Sequence, residues 1–203
     1  MSEAVATKPE APPAPHPSLF AQVVGHKVLF WAVLLGALIA DIASKAWADL
    51  TIRPMGENTF PVIPGVIAWK WAENQGAAFS ILYGRPEILA VIASIVLIAV
   101  FFYMVRTKPQ RRFFLIALGL VAAGAIGNLY DRLLLGHVRD FIFFDFDLPF
   151  HDKFSFIPRR WPVFNVADMS IIGGVAVLVV LSLFTKSEKP ASRKAAEAQG
   201  KTA

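Results

Sequence analysis

Long uncharged apolar runs alternate with short polar interruptions along this chain, and the runs set its architecture. Residues 88–105 and 113–130 are each 18 residues without a charge. At about 1.5 Å of rise per residue, each makes roughly 27 Å of helix, which matches the hydrocarbon layer of a bilayer. Residues 169–184 add 16 more, and reach spanning length if the helix is continued back through 163–168. The first run, 28–40, holds 13 uncharged residues before Asp41 and Lys45 interrupt it. Alone it has the length of a signal-peptide core, but no small-residue cleavage pattern follows it. Read through to Trp47, it becomes a spanning helix with polar residues near one end. The pattern predicts a membrane domain over 28–184 with four spans, at 28–47, 88–105, 113–130 and 163–184.

Between the first two spans the period changes. Ile67, Trp69 and Trp71 alternate with Ala68, Lys70 and Ala72, the period-2 signature of a half-buried strand. Pro61 and Pro64-Gly65 punctuate the stretch before it. A small sheet resting on the membrane face accounts for this pattern, and tryptophans acting only as interfacial anchors account for Trp69 and Trp71 equally well. The expected fold is an all-α membrane protein of four transmembrane helices with a small extracytoplasmic β-cradle.

Composition agrees. Of 203 residues, 56% are hydrophobic and 17% charged, against about 25% charged in soluble domains. The segment 106–112 carries four positive charges and no acid, and the C-terminal tail has Lys186, Lys189, Arg193, Lys194 and Lys201 against two glutamates. Both should therefore be cytoplasmic. Four spans put the N-terminus there too, with 48–87 and 131–162 outside. The net charge of +5 is compatible with nucleic-acid binding, but cytoplasmic Lys/Arg holding the topology explains it and no nucleic acid is expected. Residues 1–27, rich in Ala and Pro, and 185–203, rich in Ala and Lys, are expected to be disordered cytoplasmic tails. The absence of cysteine excludes disulfides, thiolate metal sites and a cysteine nucleophile.

Ionisable residues at membrane depth are costly and mark function. Asp41, Lys45, Asn128, Asp131, Arg132, Asp140, Asn165 and Asp168 all fall at the same, outer ends of the predicted spans. Asp41 and Lys45, at i and i+4, read as a structural ion pair rather than a catalytic one, since a paired Asp is a poor general base. Gly124 and Gly127 read as a packing face, and Asn128 with Arg132, again at i and i+4, as site residues. Asp140 and Asp168 are the candidate acids. Two carboxylates brought together in a low-dielectric site share one proton, so one serves as base toward water and the other as acid toward a carbonyl. Spacing alone is equally consistent with two loop carboxylates in separate ion pairs. Other chemistries lack their motifs: there is no His-Glu-x-x-His, no Gly-x-Ser-x-Gly and no phosphate-cradling glycine loop. A non-catalytic binding protein or small transporter could also use such a polar cluster, although no inverted repeat is visible.

Five segments, in order, resemble the bacterial lipoprotein signal peptidase (signal peptidase II) family of membrane aspartic proteases. They are Asp41-Ile-Ala-Ser-Lys45, Glu73-Asn-Gln-Gly-Ala-Ala-Phe79, Gly124-Ala-Ile-Gly-Asn-Leu-Tyr-Asp-Arg132, Val138-Arg-Asp-Phe141 and Phe164-Asn-Val-Ala-Asp168. The resemblance implies that Asp140 and Asp168 are the catalytic dyad. It implies that Asn74, Gly124, Asn128, Arg132 and Asn165 bind substrate or hold the dyad, with Asp41 and Lys45 in support. It further implies diacylglyceryl-modified prolipoprotein substrates cut just before the lipidated cysteine, inhibition by globomycin-type cyclic peptides, no cofactor, contact with membrane lipids, a monomer, and a place in the bacterial inner membrane. Two features depart from the family pattern: an acidic-aromatic insert around residues 145–160 and the Pro-rich N-terminal extension.

Overall fold

The structure, a computed structural model, describes residues 27–56, 58–76, 82, 84–108, 111–149, 152–153 and 158–184. The two tails, Lys27 excepted, lie outside the described residues. Among the described residues, four long helices carry the fold: α1 (Val28–Thr51), α2 (Pro86–Arg106), α3 (Arg112–Leu135) and α4 (Val166–Phe184). Each is long and apolar enough to cross a membrane. Their ends follow from local chemistry. Pro86 opens α2, where its missing N–H costs nothing. Gly136 closes α3 in the left-handed conformation (φ 76°), donating its N–H to the Arg132 carbonyl. Helix α1 runs past Trp47 to Thr51 and passes into a short 3-10 turn, Arg53–Met55.

The fourth helix starts at Val166, three residues later than the sequence pattern suggests. Phe164 exchanges backbone hydrogen bonds with Ile142, at 2.9 and 2.8 Å, so this part of the chain is extended and belongs to the sheet.

Helix α3 is the central one, packed against α1, α2 and α4 and buried along most of its length. Small side chains let its neighbours approach. A Cβ on Gly124 would meet the Ala167 carbonyl and lie 2.6 Å from Ile171 Cγ1, and one on Gly127 would meet the Asp41 carboxylate. Away from the sheet, Phe30, Leu34, Val100, Met104, Leu115 and Leu118 fill the core.

Three antiparallel strands in the order β1 (Phe60–Ile63), β2 (Ile67–Asn74) and β3 (Val138–Phe144) lie at one end of the bundle. β2 is the strand expected from the alternation, while no sequence pattern marks β3. Register pairs Asn74 with Val138 and Ala72 with Asp140, with an irregularity between Trp69 and Ala72. The tryptophans are packed rather than merely anchored. Trp69 meets Trp47 of α1 edge-on, with ring centroids 5.3 Å apart, and Trp69 and Trp71 cover a small core of Ala48, Ile52 and Phe141. The sheet is thereby fixed onto the end of α1.

Candidate active site

The polar residues converge where the sheet meets the helix ends. The first turn of α4 begins the construction. Asn165 is its N-cap: its Oδ1 accepts the Asp168 N–H at 2.9 Å, and Asp168 Oδ2 accepts the Asn165 N–H at 3.2 Å. This reciprocal capping box fixes the Asp168 carboxylate at a helix N-terminus, where the peptide dipoles favour negative charge. The next free amide, that of Ala167, donates to Asp41 Oδ1 at 2.9 Å.

Asp140 arrives from β3 and is almost wholly buried. Asn165 Nδ2 donates to its Oδ1 at 2.6 Å and Asn74 Nδ2 to its Oδ2 at 2.9 Å. Burial, and then the negative charge of Asp168, push its carboxyl up to about 8, against the opposing pull of the two amides and of Lys45. Asp140 therefore carries a proton at neutral pH. A carboxyl can still accept on both oxygens when protonated, so the two amide bonds are compatible with that state.

Asn128 of α3 joins the acids to a charged base. Its Nδ2 donates to Asp168 Oδ1 at 2.8 Å, while its Oδ1 accepts from Lys45 Nζ at 3.0 Å and from Asn165 Nδ2 at 3.2 Å. Lys45, with no exposed surface, forms ion pairs with Asp41 at 2.9 Å and Asp131 at 3.4 Å. Arg132 donates to the carbonyls of Gly76, at 3.0 Å, and Asn128, at 3.3 Å, tying the chain after β2 to α3.

Eight of the nine residues that the resemblance assigns to the site thus form one connected polar cluster: Asp140, Asp168, Asn74, Asn128, Asn165, Lys45, Asp41 and Arg132. Gly124 contributes differently, through the close contact of α3 with the turn of α4 that carries Asp168. The stretch 77–79 of the second matching segment lies outside the described residues. One pair escaped the sequence reading: Asp131 was noted only as a polar residue at a span end, and Arg139, which binds it at 2.6 Å, was not singled out. Asp131 lies three residues after Asn128 and so shares its helix face, a spacing that could have marked it.

Four members of the cluster form the polar end of a cleft of about 370 Å³. Leu89, Ile92 and Val96 of α2 and Ile171 and Ile172 of α4 make its apolar walls, Asn74, Asn128, Arg132 and Asp168 its polar end, and Trp161 to Phe164 one lip.

A multi-span protein with two carboxylates, buried Asp140 and half-buried Asp168, held on one asparagine beside an apolar cleft has the build of a membrane aspartic endopeptidase. Comparison with known proteins makes the assignment specific. The description "Signal peptidase (SPase) II" matches residues 33–184. The lipoprotein signal peptidase of Deinococcus radiodurans is 39% identical over 163 residues, covering 80% of this chain and 83% of that one. That of Chlorobaculum tepidum is 35% identical over 161 residues, covering 78% and 97%. A bacterial membrane enzyme solved by the in meso method at 2.3 Å resolution superposes with a TM-score of 0.64 at 29% identity, covering 82% of this chain and 95% of its own. The chain belongs to the signal peptidase II family, and is a membrane aspartic endopeptidase.

Proposed function

We propose that this protein removes the signal peptides of diacylglyceryl-modified prolipoproteins, cutting just before the lipidated cysteine, with Asp140 and Asp168 as the dyad that activates water. The observation that carries this reading is the shared anchoring of both carboxylates on Asn165, with Asp168 at the polar end of a cleft whose walls are apolar. A substrate made of a hydrophobic segment, a lipidated cysteine and one scissile bond needs such a site: apolar surface for chains that stay in lipid, and acid–base groups at the boundary.

In the proposed reaction, water is held by the two carboxyl groups. Asp168 takes its proton as the oxygen attacks the scissile carbonyl carbon, and the Asp140 proton passes to the carbonyl oxygen. Collapse of the tetrahedral intermediate returns a proton to the leaving amine, which is the lipidated cysteine's nitrogen. Asn128 and Asn165 hold Asp168, while Asn74 and Asn165 hold Asp140. Arg132, lining the cleft, keeps the segment after β2 beside the substrate.

The deciding experiment is incubation of the purified protein with a diacylglyceryl-modified prolipoprotein. Release of the signal peptide and a new N-terminus at the lipidated cysteine are expected, with no cleavage of the unlipidated precursor and competitive inhibition by globomycin. Cleavage elsewhere, or equal cleavage without the lipid, would defeat the substrate assignment.

The state of Asp140 predicts a pH dependence. Its raised value means that the acid is protonated below about 8 and lost above it. The charges facing it are Asp168 from α4, Lys45 from α1 and Arg132 from α3. Activity should fall about tenfold per pH unit on the alkaline side of 8. A rate flat to pH 10, measured on folded protein, would remove Asp140 as the acid.

Orientation follows from the positions of the positive charges. Arg106, Lys108, Arg111 and Arg112 join α2 to α3 at the end of the bundle remote from the sheet, which supports cytoplasmic termini and an active site near the extracytoplasmic face of the bacterial inner membrane. Cysteines placed singly at Thr59 and Lys108 should differ toward an impermeant thiol reagent applied to cells with a permeabilised outer membrane. Only the first should react, and the reverse pattern would invert the topology.

A further inference from the structure

We propose that the Asp131–Arg139 ion pair is a positioning device for catalysis: it fixes β3, and with it Asp140, against the same turn of α3 that holds Asp168. The inference rests on the dyad reading above. Arg139 commits four donor contacts to one carboxylate. Its Nε lies 3.2 Å from each Asp131 oxygen, its Nη2 is 2.6 Å from Oδ1, and its backbone N–H donates to Oδ2 at 3.1 Å. Asp131 has no exposed surface and Arg139 little.

The geometry connects this pair to both acids. Arg139 immediately precedes Asp140 on β3, so pinning its backbone and side chain leaves the Asp140 Cα one peptide step, about 3.8 Å, away. On α3, Asp131 follows Asn128 by three residues and lies on the same face. Asn128 Nδ2 holds Asp168 Oδ1 at 2.8 Å. Lys45 Nζ lies between them, 3.0 Å from Asn128 Oδ1 and 3.4 Å from Asp131 Oδ2. One turn of one helix therefore places the strand that carries one acid and the side chain that orients the other.

Two observations favour positioning over simple stability. The β2–β3 pairing shifts register between Trp69 and Ala72, next to the Ala72–Asp140 pair, so the ladder is interrupted beside the acid. Sheet hydrogen bonds tie β3 to β2 and, through Phe164, to the chain just ahead of α4, but not to α3, whose Asn128 holds Asp168. Arg139 supplies a side-chain link from β3 to the helices beside the acid. Buried ion pairs contribute little net stability compared with apolar packing, and their best-supported value is in fixing one geometry. An acid misplaced by about 1 Å costs about 100-fold in rate.

The test uses the full-length protein in detergent, with a diacylglyceryl-modified prolipoprotein as substrate. Arg139→Met should lower kcat about 100-fold with KM within about twofold. Arg139→Lys keeps the charge but loses the planar fork and should fall between that variant and wild type. Each is paired with a thermal melt. If Arg139→Met does not fold, the Lys variant alone decides. Wild-type kcat in a folded Arg139 variant, with or without a lower melting temperature, overturns the proposal and leaves the pair purely structural. Asp140→Asn, run in parallel, separates the two readings. If that variant stays active, the dyad reading fails. If it is dead while the Arg139 variants turn over normally, only the positioning role fails.

Discussion

Asparagine at Asp140 or at Asp168 should lower kcat by about 100- to 10,000-fold, the range over which a positioned acid or base contributes, and the two losses should not add in the double variant. Both acids are held through Asn165, whose side chain donates to Asp140 Oδ1 and whose backbone N–H donates to Asp168 Oδ2. In the proposed reaction they work on one water, so either loss should disable the unit. The substitutions are nearly isosteric, and substrate binding should persist. Asp168→Asn leaves one oxygen for two donors, Asn128 Nδ2 and the Asn165 N–H, so some loosening of the α4 cap is expected in a melt. Initial rates of the two singles and the double, beside substrate binding, make the measurement. Full activity in either single variant, or losses that multiply in the double, would sink the dyad.

The helices were legible because spanning a membrane requires a length of uncharged sequence, and such runs have no other common explanation. The sheet was half legible. β2 alternates, but β3 does not: in Val138-Arg-Asp-Phe-Ile-Phe-Phe144, Val138, Asp140, Phe141 and Phe143 are buried, so no period-2 pattern marks one face. Only its pairing with β2 makes it a strand. The start of α4 was written in the sequence as Asn165-Val-Ala-Asp168, a capping-box spacing before an apolar run, and its recognition would have set the boundary correctly.

The site was legible as a set but not as a network. Burying charge is expensive, so acids and bases gathered at one membrane boundary had to be facing each other. Which of them pair depends on how α1, α3, α4 and β3 cross. No local spacing links Lys45 to Asn128, or Asp131 to Arg139 across a helix end. The insert shows the same limit. No local spacing says which of its charges meet: Asp147 pairs with Arg159 at 3.0 Å and Asp145 with Arg160 at 3.2 Å, while the Leu148 N–H donates to the Arg159 carbonyl at 2.7 Å. These links bring the outgoing and returning arms together just before Trp161, which lines the cleft. Residues 150–151 and 154–157, at its far end, lie outside the described residues.

Lys45→Met should be the most destabilising single change in the cluster. The ammonium group has no exposed surface and is the cation shared by Asp41, at 2.9 Å, and Asp131, at 3.4 Å, while also donating to Asn128 Oδ1. Methionine fills similar volume and so removes the charge without opening a large cavity. Asp131 keeps Arg139 as a partner, but Asp41 is left with the Ala167 N–H on one oxygen and no counter-ion. Removing one member of a buried pair costs about 3–5 kcal/mol, because the remaining charge stays desolvated. For a chain of this size, that corresponds to a fall of about 10 °C in melting temperature. The cause can be isolated by adding Asp41→Asn to the methionine variant. If the loss comes from an orphaned carboxylate, the second change removes the orphan while leaving an acceptor for Ala167, and the double variant should melt above the single one. Asp41→Asn alone should cost less, since Lys45 still has Asp131. Melts of the three variants in one detergent give the coupling directly. Losses that simply add would mean that Lys45 stabilises through its packed stem, and that Asp41 and Lys45 are not the buried pair on which the α1 side of the site depends.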